Sequence, residues 1–119
     1  MKSAENTSQS EAARCAIEQN FGRLTEQIVQ SADLSGLLHP ALNALMTYDA
    51  NNKSNLFDTL DVYLLNDCNA QLCGRLLFLH RNSLVYRIHR IQEITGVDLS
   101  DPEERSYLRL SFLLWKALQ

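Results

Sequence analysis

Leu84, Ile88, Ile91 and Thr95 recur at intervals of four, three and four residues, which places them on one side of a helix turning about 100° per residue. No other feature constrains the chain as tightly, because a helix carrying this stripe must bury it and leave the opposite side in water. The predicted helix starts at Arg81 and runs to Thr95, where Gly96 supplies the left-handed residue that closes it. Opposite the stripe stand Asn82, Tyr86, His89 and Glu93, flanked by Ser83, Val85 and Arg90. The outward face is therefore hydrogen-bonding and mostly basic. Just upstream, Asn69 can cap a short helix reaching about Leu77, and Phe78-Leu79-His80 breaks the chain before Arg81. Gly74 removes a side chain where the two helices must approach closely.

No segment alternates apolar and polar residues as a half-buried strand does, so the expected fold is an all-α, multi-helix bundle. Residues 1–10 are polar and expected to fray. From about Glu11 the pattern turns helical: Ile17, Phe21, Leu24 and Ile28 form one narrow stripe. It fits either a short two-heptad coiled coil between two copies or one face of a core helix. Ser31 to Gly36 interrupts it. Pro40 suits the first turn of a further helix, buried through Leu42, Leu45 and Met46, and Asp49 to Asn55 reads as a polar loop. Ser54 or Asn55 then caps a helix whose inner side is Leu56, Leu60 and Leu64, flanked by Phe57 and Tyr63. Asn66 to Asn69 is a turn. Asp101 as N-cap, Pro102 in first position and Glu104 three after the cap announce a last helix. That helix is apolar nearly all round from Tyr107 to Leu118, so it is either buried in the middle or shared with a second molecule.

Composition narrows the class. With 119 residues, 45% hydrophobic and 21% charged, the chain has about one domain's worth of material and a modest core. No stretch approaches the roughly 18 apolar residues of a membrane span, and the N-terminus lacks the apolar run of an export signal, which makes the cytoplasm the expected location. Cys15, Cys68 and Cys73 are an odd set and no disulfide framework; they read as reduced, partly buried hydrophobes. A zinc site from Cys68, Cys73 and His80 lacks a fourth ligand and the usual tight spacing. Catalysis is not expected either. Ser83 with His80 or His89 has no orienting carboxylate nearby, and neither a glycine-rich phosphate loop nor a metalloprotease motif is present. No cofactor is implied.

The net charge of −3 hides an uneven distribution. Residues 1–67 carry nine acids against four bases, and residues 93–119 carry five against three. Between Cys68 and Gln92 there is no acid, while Arg75, Arg81, Arg87 and Arg90 stand there with His80 and His89. A polyanion responds to the local field of a face and not to a chain average; a merely solvated arginine-rich surface is the bland alternative. A short helix, a tight turn and a longer helix over Asn69 to Gly96 have the dimensions of a helix-turn-helix, whose second helix lies in the DNA major groove.

The stretch NAQLCGRLLFLHRNSLVYRIHRIQEITGVDL resembles the C-terminal helix-turn-helix of the PucR/CdaR group of bacterial regulators, with its pattern N-x-S-x-T-A-R-x-L-F-I-H-R-N-T-L-x-Y-R-L-x-R-I-x-E-L-T-G-L-D-L. The likeness extends outward through LLHPALNALMTYDANNKSNLFDTLDVYLLND and DPEERSYLRLSFLL, covering roughly residues 38–118. The motif also looks, more distantly, like that of the DNA-bending factor for inversion stimulation. Gln71 and Cys73 stand where the pattern usually has Ser and Thr, and Val85 where a polar or basic residue is common. The resemblance implies the output end of a longer bacterial transcription regulator, with a sensor upstream of this chain. Residues 1–37 would be a polar N-terminus and connecting helix, and 38–119 the DNA-binding domain, with its motif at 69–96.

In that arrangement Arg81, Asn82, Tyr86 and His89 are expected to read base edges, with Val85 touching a thymine methyl. Arg75, Ser83, Arg87 and Arg90 are expected to hold phosphates, which position the helix without reading sequence. Arg87 lies nearer the packed side and could instead pair with an acid of the domain. His80 has capping or turn-packing as its structural alternative, Tyr86 a place in the core, and His89 plain surface. The expected partner is double-stranded DNA, bound by a homodimer; the competing expectation is a dimerisation or protein-interaction module of the same fold that has lost DNA binding.

Overall fold

The computed structural model describes the backbone of residues 2–119 and the side chains of residues 10–119. Its described residues form six helices and no strand: α1 (Lys2–Ser31), α2 (Ala41–Asn52), α3 (Leu56–Leu65), α4 (Ala70–Leu76), α5 (Arg81–Thr95) and α6 (Pro102–Ala117). The all-α expectation holds. α3 lies at the centre, packed against α2, α4, α5 and α6, whereas among the described residues α1 packs on α6 alone. The core runs through the inner sides of these helices. Leu42 and Leu45 come from α2, Leu60 and Leu64 from α3, Leu84, Ile88 and Ile91 from α5, and Leu108 and Phe112 from α6. Each such side chain contributes about 1.5–3 kcal/mol by leaving water.

Phe57 joins the central helix to the last one, with its ring edge-on to Phe112 at 4.9 Å and to Trp115 at 5.0 Å. At the α3–α6 seam Lys116 Nζ meets Asp61 Oδ2 at 2.6 Å. The approach to α2 is fixed by His39. Its backbone N–H donates to Ser111 Oγ (2.9 Å), its Nδ1 accepts from the Ala41 N–H (3.0 Å), and its Nε2 lies 3.1 Å from Glu104 Oε1. Since Nδ1 is an acceptor here, Nε2 carries the proton given to Glu104. α6 therefore holds both the start of α2 and the end of the α1 connection, where the Tyr107 hydroxyl donates to Leu37 O at 2.7 Å.

Four local expectations are corrected. α1 already runs from Lys2 and is not frayed to residue 10; the segment contains neither Gly nor Pro and offers nothing to stop a helix. The loop expected from Asp49 begins only at Lys53, because α2 continues to Asn52 and ends on a left-handed Lys53 (φ 52°). Neither Ser54 nor Asn55 caps α3 with its side chain. Asp49 does so from the preceding helix: Oδ1 accepts from Leu56 N–H and Ser54 Oγ, and Oδ2 from Phe57 N–H, at 2.6–2.9 Å. A carboxylate outcompetes a neutral amide for a helix N-terminus. At α6 the Asp101 side chain accepts from Glu103 N–H at 2.9 Å as expected of a cap, but Glu104 turns to His39 and leaves the reciprocal half of a capping box unmade.

Gly74 is required by a close approach. A Cβ built on it would lie 2.9 Å from the backbone oxygen of Leu79, an atom that cannot move without shifting α5. In a helix interior Gly→Ala ordinarily stabilises by up to about 1 kcal/mol. Gly74→Ala is expected to do the opposite and cost about 1–3 kcal/mol, read from urea unfolding followed by circular dichroism.

Candidate nucleic-acid interface

α4 and α5 form the helix-turn-helix and pack closely on each other. The side chain of Asn69 caps α4 by accepting from Leu72 N–H at 3.0 Å. α4 ends in a Schellman motif: Leu79 N–H donates to Gly74 O (2.7 Å) and Phe78 N–H to Arg75 O (3.3 Å), the paired bonds that satisfy the last carbonyls of a helix. The left-handed residue this motif requires is Phe78, at φ 57°. It is 96% exposed. His80 then caps α5, its Nδ1 accepting from Asn82 N–H at 3.2 Å, which realises the structural alternative raised for that residue. Gly96 closes α5 at φ 74°, its N–H donating to Gln92 O at 2.8 Å.

Burial of Leu84, Ile88 and Ile91 against α2, α3 and α4 sets the rotation of α5 about its axis. Arg81, Asn82, Ser83, Tyr86 and His89 consequently face solvent, and Tyr86 is 70% exposed, so its core alternative does not apply. Val85 is half-buried. Arg75 is exposed on α4. Arg87 is half-buried, but its hydrogen bond is a long one, 3.5 Å, from Nη1 to Thr59 Oγ1, and among the described residues it forms no ion pair. None of those residues is the acid partner considered for it. Arg90 is tethered instead, with its guanidinium 5.4 Å from the Tyr48 ring centroid, Nη2 3.4 Å from the Tyr48 hydroxyl and Nη1 3.2 Å from Glu93 Oε2. The face thus gathers all five residues expected to read bases along one surface, with Ser83, Arg87 and Arg90 on one flank.

Tyr48 and Lys53 also border this flank, across a groove that Asn82, Ser83, Tyr86, Arg87 and Arg90 line from the α5 side. Sequence reading missed both, since neither lies within the motif and only the tertiary fold brings α2 to α5. The cysteines lie elsewhere. Cys15 is exposed, against the expectation of partial burial, because the side of α1 that carries it has no neighbour among the described residues. Burial pushes the Cys68 and Cys73 thiols above their ordinary pKa, favouring their neutral form.

A buried-stripe helix preceded by a short helix and a Schellman turn defines a helix-turn-helix domain. Residues 56–114 match the family model described as the PucR C-terminal helix-turn-helix domain, and the chain belongs through that segment to this bacterial family of DNA-binding transcription regulators. The chain is similar to the proline-responsive transcriptional activator PutR of Bacillus subtilis, at 37% identity over 79% of this chain and 23% of that protein. It is also similar to the purine catabolism regulatory protein of the same organism (31%, over 72% and 16%) and to the carbohydrate diacid regulator of Escherichia coli (37%, over 66% and 18%). It thus spans less than a quarter of the length of each of these relatives. No solved structure matches, so the likeness to the inversion-stimulation factor rests on the motif alone. Among the described residues no helix is long and apolar enough to cross a membrane.

Phe78 occupies a position where glycine is the unstrained choice, and a left-handed backbone costs an ordinary residue about 1–2 kcal/mol. Phe78→Gly removes that strain and almost no packing, while loosening the unfolded chain. A net stabilisation of about 1 kcal/mol is expected from urea unfolding.

Proposed function

We propose that this chain binds double-stranded DNA sequence-specifically as the output domain of a bacterial transcription regulator, with α5 in the major groove. The observation that carries the reading is the outward face of α5, on which Arg81 and the hydrogen-bonding side chains stand in solvent, with Arg87 and Arg90 half-buried on its flank, while the apolar stripe is buried. Arg81 and Asn82 sit at the end that enters the groove; an arginine matches guanine O6 and N7, and an asparagine matches adenine. Tyr86 and His89 extend the read, and the Val85 methyls meet a thymine methyl. Arg75, Ser83, Arg87 and Arg90 take phosphates and fix the register. Glu93, at the far end of the face, would repel the backbone, so the reading is assigned to residues 81–89 of α5.

Residues 38–119 act as the DNA-binding unit, and residues 1–37 connect it to a signal-sensing region of the regulator. Two copies pair through α1, where Ile17, Phe21 and Leu24 are 66%, 48% and 56% exposed on one stripe, a costly arrangement for a helix left alone in water. Such a dimer sets two α5 helices on half-sites about 34 Å apart.

Anisotropy of a labelled random-sequence duplex, titrated at several salt concentrations, tests the DNA reading. Binding should weaken steeply as salt rises, and Arg81→Ala with Arg90→Ala should flatten that dependence by roughly 0.9 for each phosphate no longer neutralised. On the selected operator, Arg81→Ala alone should cost about 1–3 kcal/mol of discrimination at one base pair. Absence of binding at low salt would leave only the interaction-module reading.

Sedimentation velocity tests the pairing. A dimer that becomes monomeric on Phe21→Glu with Leu24→Glu is the expected result, whereas a wild-type monomer across the micromolar range would refute it.

A further inference from the structure

The groove beside α5 has a volume of about 580 Å³. One wall is the flank of α5 that carries Ser83, Arg87 and Arg90; the other is the corner between α2 and α3, with Lys53 and Asn55. Among the described residues no acid lines it, and three of its residues are cationic. The corner is held firmly from behind. The Asp49 carboxylate accepts from Ser54 Oγ, Leu56 N–H and Phe57 N–H; it thereby occupies the N-terminus of α3 and leaves the lysine and the two arginines as the groove's anion-attracting groups. Lys53 closes α2 in the left-handed conformation and is exposed, and its ammonium forms no ion pair among the described residues. Across from it Arg87 likewise meets no carboxylate among those residues, and Arg90 is steadied by the Tyr48 ring and hydroxyl.

A helix is about 10–12 Å across with its side chains, and the DNA major groove is about 12 Å wide. A helix lying in it is therefore bordered on both flanks by a phosphate ridge. With α5 so placed, the ridge on the Ser83–Arg87–Arg90 side would run along this groove and would meet the α2–α3 corner on its far wall. We infer that the corner and this flank of α5 together seat one sugar–phosphate strand of the duplex, with Lys53 as a phosphate-binding residue supplied from outside the helix-turn-helix. The inference rests on the DNA-reading role proposed for α5. It makes the footprint wider than the motif and gives the domain a second fixed point, so that α5 is braced against rolling in the groove.

The test is the same anisotropy titration with Lys53→Asn, Lys53→Gly and Lys53→Arg. Asn and Gly both accept a left-handed backbone, so these variants remove the charge without disturbing the corner, as thermal melting would verify. Lys53→Asn and Lys53→Gly should bind several-fold more weakly to every duplex whatever its sequence. The slope of log affinity against log salt should fall by about 0.9, and Lys53→Arg should restore both. Wild-type affinity and slope in the two neutral variants, alongside loss of binding on Arg81→Ala with Arg90→Ala, would overturn the role of the corner and leave α5 as the reading helix. Failure of the wild-type protein to bind any duplex would overturn both.

Discussion

A helix free in water can turn about its own axis at no cost; one that has buried Leu84, Ile88 and Ile91 cannot. Every property of the outward face of α5 follows from that restriction. The three side chains lock into a pocket built by α2, α3 and α4, and a rotation by one residue would carry an apolar side chain into solvent and a polar one into the core. The energy that holds the outward face in shape thus comes from the buried side of the helix. Gly74 completes the constraint, since the close approach of α4 to the Leu79 carbonyl sets how near α5 can start beside it.

The motif itself was legible because its signals are local. The cap at Asn69, the break at Phe78–His80, the stripe and Gly96 all lie within a few residues of what they control, and α5 begins and ends where they place it. Signals acting across the fold were not legible. Asp49 caps a helix that starts seven residues further on, and Glu104 leaves its own helix terminus for a histidine 65 residues away. Nothing in their spacing distinguishes these carboxylates from ordinary surface acids. The left-handed ends at Lys53, Asp67 and Phe78 were hidden for a related reason: a glycine would have announced them, and none stands at these positions. In the site, the face of α5 could be read from periodicity, but the neighbours of that face could not. Tyr48 and Lys53 reach it only because α2 folds back across α5.

Charge follows the same logic of placement. The chain is acidic as a whole, yet no acid among the described residues lines the groove beside α5, and the one on its outward face, Glu93, is engaged by Arg90. Several acids are drawn into structural tasks: Asp49 and Asp101 as caps, Asp61 in an ion pair with Lys116, Glu104 against His39. Carboxylates placed this way contribute to the fold and are kept from spreading a negative field over the face that would meet a polyanion.

Among the described residues α1 rests on α6 and on no other helix, and α6 in turn is not packed against α5. A 30-residue helix is roughly 45 Å long, nearly the longest dimension of the whole molecule, 54 Å. Such a rod is a handle. A twist or tilt imposed on it enters the bundle at a single seam and must cross α2 or α3 before reaching α5, and those layers are close-packed and deform little. In the dimer proposed above, a head held at that one seam would move as one piece, so that what a handle of this kind would adjust is the spacing and angle between two heads, while the surface each one presents would stay the same.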